Sequence, residues 1–329
     1  MQQTDIEFSI ISGSSEEMLV ECLDSLQAAM KETPYIWSLT ITCSQVDDGL
    51  AERLRVLYPY SRIISNGKPR SPAAIHNNIL ATSRSAYVWL LSSDLKILPG
   101  AILNVMRFLE RPDNSRVAIA SPELLHADGA LKPMTFSFPF VRQLLMTASG
   151  LPLGGASGSS LSSGRTSSRI LSEGGRDFIE ADYLRGACVA VRSSAARQVG
   201  AIMELGLVEA EEADWHRRFH ENGWRVGVLC GTSVIHYGSH FASRDTRYAD
   251  PERFEAAMHY FKATLHPPTF ILLCVFAIVT ARLRSAVTAI VGARKSAEIA
   301  RRYAQLAWRD LQAALWRGKP AAPSIPLQT

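Results

Sequence analysis

The sequence predicts an α/β fold, a doubly wound mixed sheet followed by a C-terminal amphipathic helical extension, and three observations predict it. Short apolar runs alternate with amphipathic stretches from the start to about residue 121. That alternation fails after Pro139, where residues 148–176 are dominated by Ser and Gly. The last part of the chain is an apolar run followed by an Arg-rich amphipathic tail. With 329 residues, 47% apolar and 20% charged, the chain has the composition of a globular protein of one large domain or two modest ones. Its net charge of +4 is too dilute for the electrostatic footprint of a nucleic-acid binder.

Taken in order, residues 7–11 are the first expected strand, and the helix after it carries Leu19, Cys22, Leu23, Leu26 and Met30 on one face. Strands follow at 37–42, 62–65, 87–91 and 117–121, with helices near 49–57, 72–83 and 100–109 between them. This pattern is the nucleotide-binding half of a doubly wound sheet. Residues 148–176 bury too little apolar surface to order themselves and are expected to form a flexible loop. Order is expected to return at 178–192, in a helix near 214–222, and in strands 225–229 and 232–236.

Residues 270–279 are all apolar or hydroxyl-bearing, a run shorter than the roughly 20 residues a spanning helix needs. The amphipathic tail to Lys319, with Trp308 and Trp316, suits a helix lying in a membrane interface. A core-packing helix hairpin or a dimer contact that uses no lipid is the alternative reading. The expected organisation is therefore residues 1–245 as one domain, 246–319 as a helical extension and 320–329 as a disordered tail. Five cysteines with no C-x-x-C pair fit a reducing compartment, and the N-terminus lacks a secretion signal's basic and apolar regions, so the expected location is cytoplasmic.

No G-x-G-x-x-G follows the first strand, which disfavours a nucleotide-dependent oxidoreductase, and neither a P-loop nor a G-x-S-x-G elbow is present. Asp94 stands just beyond a buried strand, at the sheet edge where ligands bind in open α/β folds, as a turn cap or as a ligand for a divalent ion on a diphosphate. Glu209, Glu211, Glu212 and Asp214 crowd the expected start of a helix. They are either a solvated first turn or a set in which like charges raise one another's pKa and ready a general base. His236 ends a strand, while His216 and His220 read as surface decoration.

The order of these clusters resembles a known family. Residues 91–100 are followed by Ser121-Pro122-Glu123-Leu124-Leu125 with Ala127-Asp128-Gly129, then by Arg185-Gly186-Ala187-Cys188 with Val191-Arg192. Residues 211–218 with Gly223-Trp224, and then Ile235-His236, complete the series. Over roughly residues 7–240 this resembles the family 2 glycosyltransferases, closest to the bacterial rhamnosyltransferase-like members.

The resemblance implies a GT-A fold and inverting transfer of a sugar from a nucleotide-diphosphate donor, UDP- or dTDP-linked, with a divalent metal (Mg²⁺ or Mn²⁺) at a D-x-D or N-x-D signature. It implies that Asp94 is the metal-side carboxylate, with Ser92 where the family has Asp or Asn, and that His236 completes the metal or diphosphate site. Glu211, Glu212, Asp214 and Arg218 fall on the family's Glu-Asp-x-Asp-x-x-x-Arg pattern, with Glu212 as the expected base and Arg218 on the donor side. Gly186 and Ala187 match the Gly-Ala beside the donor sugar, and His76, Asn77 and Asn78 match the stretch near the nucleotide. Arg185 and Arg70 are candidate phosphate partners.

Three positions depart from the family pattern: Ser12-Gly13-Ser14-Ser15 replaces Thr/Ser-Tyr-Asn, Cys43 stands where a nucleotide-binding Asp is usual, and Ser92 replaces a carboxylate. The expected function is transfer to a lipid-linked or polysaccharide acceptor in cell-envelope glycan biosynthesis, on the inner face of the cell membrane. The alternative is a catalytically degenerate relative acting as a scaffold or partner subunit.

Overall fold

The structure, a computed structural model, describes residues 5–43, 48–65, 70–136, 138, 141–150, 170–173, 176–238 and 251–316. The first half runs β1 (Ile6–Ser12), α1 (Glu16–Lys31), β2 (Trp37–Cys43), α2 (Asp48–Leu57), β3 (Arg62–Ser65), α3 (Pro72–Thr82) and β4 (Tyr87–Ser92). β1, β2 and β4 are apolar runs that the sheet largely buries, with Ile6, Phe8, Ile10 and Trp89 wholly enclosed, while the edge strand β3 is half-exposed. The helices start where the sequence supplies caps: the Ser15 side chain accepts from the Met18 N–H, and Ser71 accepts from the Ala74 N–H at 3.1 Å ahead of Pro72.

The chain continues through β5 (Leu95–Ile97), α4 (Ala101–Glu110), a 3₁₀ turn (Pro112–Asn114), β6 (Val117–Leu125), β7 (Thr135–Phe136) and α5 (Val141–Ser149). Next come β8 (Ile170–Glu173), β9 (Arg176–Glu180), β10 (Tyr183–Leu184), β11 (Cys188–Arg192), α6 (Ser193–Val199), α7 (Val208–Glu221) and β12 (Arg225–His236). The last helices are α8 (Pro251–Thr264), α9 (Pro267–Ile290) and α10 (Arg294–Trp316).

The main sheet has the order β3-β2-β1-β4-β11-β6-β12-β9-β8, with β5 paired to β12. β3, β2, β1 and β4 are parallel, and β11 lies antiparallel between β4 and β6, so the sheet is mixed. Strand order reverses beside β1, which opens a crevice at the C-terminal ends of β1 and β4.

Several expectations are corrected. α7 begins at Val208 rather than near 214, because Asp214 is a mid-helix acid paired with Arg217 and Arg218 rather than a first-turn one. The two strands expected at 225–229 and 232–236 are one strand whose pairing with β6 shifts between Leu229 and Ser233, where Gly231 takes a φ of 70°. The expected Ser/Gly-rich loop is bounded by order: α5 runs to Ser149, and β8 and β9 form an antiparallel pair. The rest of that loop, the 245/246 boundary and the 320–329 tail lie outside the described residues.

Two cores result. The larger fills both faces of the sheet; the second joins Phe136, Tyr183 and Leu144 to Ala210 and Ala213 of α7 and to Phe254, Phe270, Leu273, Tyr303 and Ala307 of the last three helices. The apolar run expected to be too short belongs to a 24-residue helix, α9, which among the described residues is the one helix long and apolar enough to cross a membrane. Only 28% of its most apolar window is buried.

Candidate active site

β4 delivers Ser92 and Asp94 to the sheet's C-terminal edge, and β5 turns the chain back so that Leu95 pairs with His236 at the end of β12. That pairing sets His236 Nε2 3.3 Å from Asp94 Oδ1, and the Ser92 hydroxyl donates to the same carboxylate oxygen. Burial works to raise the Asp94 pKa, but the bonds from His236 and Ser92 outweigh it and bring the carboxyl down to about 2. Lys132 reaches in from beyond β6 and donates to the carbonyls of His236 and, at 2.8 Å, Gly238. A β-carbon at Gly238 would collide with Asp94 Oδ2, so any side chain there would have to push the carboxylate aside.

The loop after β1 is fastened to this edge. The N–H groups of Gly13 and Ser14 donate to Ser93 Oγ at 3.1 and 3.2 Å, and the Ser14 hydroxyl meets it at 2.7 Å. Ser12 and Cys43 end their strands in register with each other, both buried, at the same end of the sheet.

Between β10 and β11 the chain makes a turn at Gly186 and Ala187. The Ser92 N–H donates to the Ala187 carbonyl at 2.9 Å, and the Gly186 N–H donates to Glu212 Oε1 at 2.6 Å. One turn therefore ties the Asp94 cluster to the Glu212 carboxyl on α7. Burial pushes the Glu212 pKa up to about 8, against the opposing pull of the Gly186 N–H and the Arg185 charge. The neighbouring carboxylates expected to produce that shift are its smallest contributors.

The other carboxylates of the motif hold structure. Glu211 is 4% exposed, and its Oε1 accepts from the Leu205 and Gly206 N–H groups at 3.0 Å each, while burial raises its pKa. Asp214 is fully buried and pairs with Arg217 Nη2 at 2.8 Å and Arg218 Nε at 2.9 Å. Arg218 spends its remaining donors on the carbonyls of Val199 and Ala201. Asn77 clamps Ile202 from the other side, accepting its N–H and donating to its carbonyl, both at 2.8 Å. Glu211, Arg218 and Asn77 thus converge on the 199–206 segment that leads into α7. Asn78 is exposed on α3, and His76, bonded through Nδ1 to Ser9 Oγ at 3.1 Å, is lowered to about 4 by burial.

His216, expected on the surface, is 2% exposed and lowered to about 3 by burial, because the helix runs deeper into the fold than its charge pattern suggested. His220 Nε2–H donates to the carbonyls of Ala181 and Asp182, at 3.1 and 3.0 Å, rather than sharing a ligand with His216. Arg185 lies 4.8 Å over the Phe136 ring, and Arg70 is exposed before α3.

Sequence reasoning missed Ser93, Lys132 and Gly238. Ser93 was legible as the residue beside Asp94, whereas the Lys132 bond spans 104 residues and leaves no local signal. An open groove along α1 is lined by Glu16, Glu17, Glu21 and Asp24 beside Lys96 and adjoins these residues through the Tyr237 hydroxyl, which donates to Glu21 at 3.1 Å; its charge disfavours a phosphate.

Among the described residues no three His, Cys, Asp or Glu side chains stand together as a complete metal site. Asp94 and His236 nonetheless fit a divalent cation that takes most of its oxygens from a diphosphate and water, the mode in which Mg²⁺ is commonly held. The space beside Asp94 Oδ2 and His236 Nε2 that a β-carbon at Gly238 would fill is the observation that supports this fit.

No protein-family model and no curated protein sequence matches the chain. Among solved structures it is similar to the mannosyltransferase PcManGT from Pyrobaculum calidifontis in complex with GDP-Man and Mn²⁺, at 13% identity and a TM-score of 0.49, covering 96% of this chain and 87% of that one. It is also similar to S. aureus TarS 1–349, at 10% identity and a TM-score of 0.45, covering 94% of this chain and 92% of that one. At these levels neither likeness assigns a residue.

Proposed function

We propose that the protein is an inverting glycosyltransferase of the GT-A type that moves a sugar from a nucleotide-diphosphate donor to a lipid-linked or polysaccharide acceptor. The observation that carries this reading is the Gly186–Ala187 turn, which bonds the Glu212 carboxyl on one side and the Ser92–Asp94 cluster on the other. A general base and a diphosphate-facing carboxylate are what an inverting transfer needs on opposite sides of the sugar.

In this reading Glu212 takes the proton of the acceptor hydroxyl, and that oxygen attacks the anomeric carbon from the face opposite the departing diphosphate. Its pKa near 8 suits a base working close to neutral pH. Asp94 and His236 would hold a divalent cation, which when bound supplies positive charge to the leaving diphosphate. Glu211, Asp214, Arg218 and Asn77 act as positioning residues, fixing the 199–206 segment and hence α7. Five thiols free of disulfides and the exposed apolar side of α9 support a cytoplasmic enzyme at the inner face of the membrane.

The test is a panel of UDP-, dTDP- and GDP-sugars with Mn²⁺ or Mg²⁺, read as nucleotide diphosphate release by the full-length protein. Release with one donor, lost in Glu212→Gln, supports the reading. One observation favours the second reading, a non-catalytic scaffold: Ser92 and Cys43 supply a hydroxyl and a buried thiol where the resemblance expects acids. No release and no donor binding by calorimetry would favour it.

A further inference from the structure

The exposed side of α9 carries a continuous apolar stripe. Leu272 (56% exposed), Phe276 (52%), Val279 (49%), Leu283 (62%), Val287 (59%) and Ile290 (85%) recur at helical spacing. The stripe is about 27 Å long at the helical rise, and Arg282 is the one charged residue exposed along it. A patch of this size on a soluble surface marks an interaction site.

The opposite side of α9 is occupied. Phe270, Leu273, Cys274, Ala277 and Ala281 are buried in the second core, and Arg284 turns inward to the Thr147 carbonyl at 2.8 Å and Ser296 Oγ at 3.1 Å. The exposed side of α10 is polar over its first half, at Lys295, Glu298, Arg301, Arg302 and Gln305, and carries Trp308 and Leu315 further along. Half of α9 is therefore committed to protein contacts, and the side left over is the stripe.

Charge selects the occupant. α9 and α10 together hold seven Lys and Arg against two Asp and Glu, a larger positive excess than the +4 of the whole chain. Arg294 and Lys295, both exposed, follow directly on the turn that closes the stripe. Two copies docked stripe to stripe by a two-fold axis would face like charges, whereas an anionic leaflet neutralises them.

We propose that α9 lies in the plane of an anionic lipid leaflet, with its 272–290 stripe among the acyl chains and Arg282, Arg294 and Lys295 against headgroup phosphates. This deepens the proposed function and rests on it only for the nature of the acceptor. α9 shares its core with Ala210 and Ala213, neighbours of Glu212 on α7, so a lipid-borne acceptor would meet the protein on the assembly that carries its base.

The experiment is co-sedimentation of the full-length protein with phosphatidylglycerol-containing vesicles and with pure phosphatidylcholine. Binding is expected at least about tenfold tighter to the anionic vesicles. Phe276→Glu and Leu283→Glu, both on exposed positions and checked by unchanged melting, should each weaken it about tenfold or more. Arg294→Gln and Lys295→Gln should each remove about fivefold of the anionic preference. Equal binding of wild type and Phe276→Glu overturns the proposal. So does retention after alkaline carbonate extraction, which would make α9 a span, or a dimer in sedimentation that Phe276→Glu dissolves. Donor turnover measured without vesicles keeps the readings apart: turnover without vesicle binding defeats the docking alone, and vesicle binding without turnover defeats the enzyme alone.

Discussion

Gly186 and Glu212 are locked together: the Gly186 N–H donates to Glu212 Oε1 at 2.6 Å, and a β-carbon at 186 would stand 2.7 Å from that same oxygen. Any side chain at 186 would force that carboxylate oxygen to move. Gly186→Ala should therefore displace the carboxylate and lower kcat about tenfold or more, with a stability loss of about 1–3 kcal/mol. Because the lost N–H bond had been lowering the Glu212 pKa, the rising limb of the pH–rate profile should also move to higher pH. An unchanged profile would detach Gly186 from the chemistry.

Glu212→Gln should reduce nucleotide diphosphate release by about 10²–10⁴-fold, while donor affinity by calorimetry stays nearly unchanged. In the wild type the base form is the carboxylate, so kcat/KM should climb with pH toward about 8. A profile already flat at pH 6 would remove Glu212 from that role.

The same carboxyl affects stability with a definite sign. Its folded pKa lies above its unfolded one, so the native state binds the extra proton, and this contribution is full below the unfolded pKa and lost as pH rises toward about 8. The melting temperature of Glu212→Gln should therefore gain on the wild type across that window. Parallel curves would show that the residue is not held as described.

Asp94→Asn should weaken metal-dependent donor binding about 10–100-fold, and Lys132→Met should do so through the displaced His236–Gly238 backbone. Both are read by calorimetry with and without Mn²⁺. Metal dependence unaltered in Asp94→Asn would place the cation elsewhere.

Asn77→Ala separates positioning from donor contact. It removes two hydrogen bonds that pin Ile202 and should cost about 2 kcal/mol in denaturant unfolding. As a positioning residue it should lower kcat with little change in the KM for donor. A rise in KM alone would instead return Asn77 to the donor site.

The first four parallel strands were legible because each is a short apolar run set off by caps and turns, three of them largely buried and β3 half-exposed at the sheet edge; 87–91 was expected and Tyr87–Ser92 is found. β11 was legible as ordered chain, but its antiparallel insertion beside β4 was not, since pairing partners far apart in sequence leave no periodic trace. The start of α7 was misplaced because acids in a row look the same in a first turn as on a buried mid-helix face that arginines neutralise. Asp94, Gly186 and Glu212 of the proposed site stand in local motifs, and the fold brings them to one turn. The contributions of Glu211, Arg218 and Asn77 were not legible, because their partners are backbone groups of residues 199–206 whose spatial meeting no pattern announces.

The second core has a consequence for how separable this chain is. Ala210 and Ala213 of α7 lean on the same cluster as Phe254, Phe270 and Tyr303, so the helical extension is not a detachable module. A fragment ending before α9 would leave α8 and one flank of α7 facing water, and would loosen the helix that carries Glu212. The proposed docking face and the proposed base would then stand or fall on the same packed cluster.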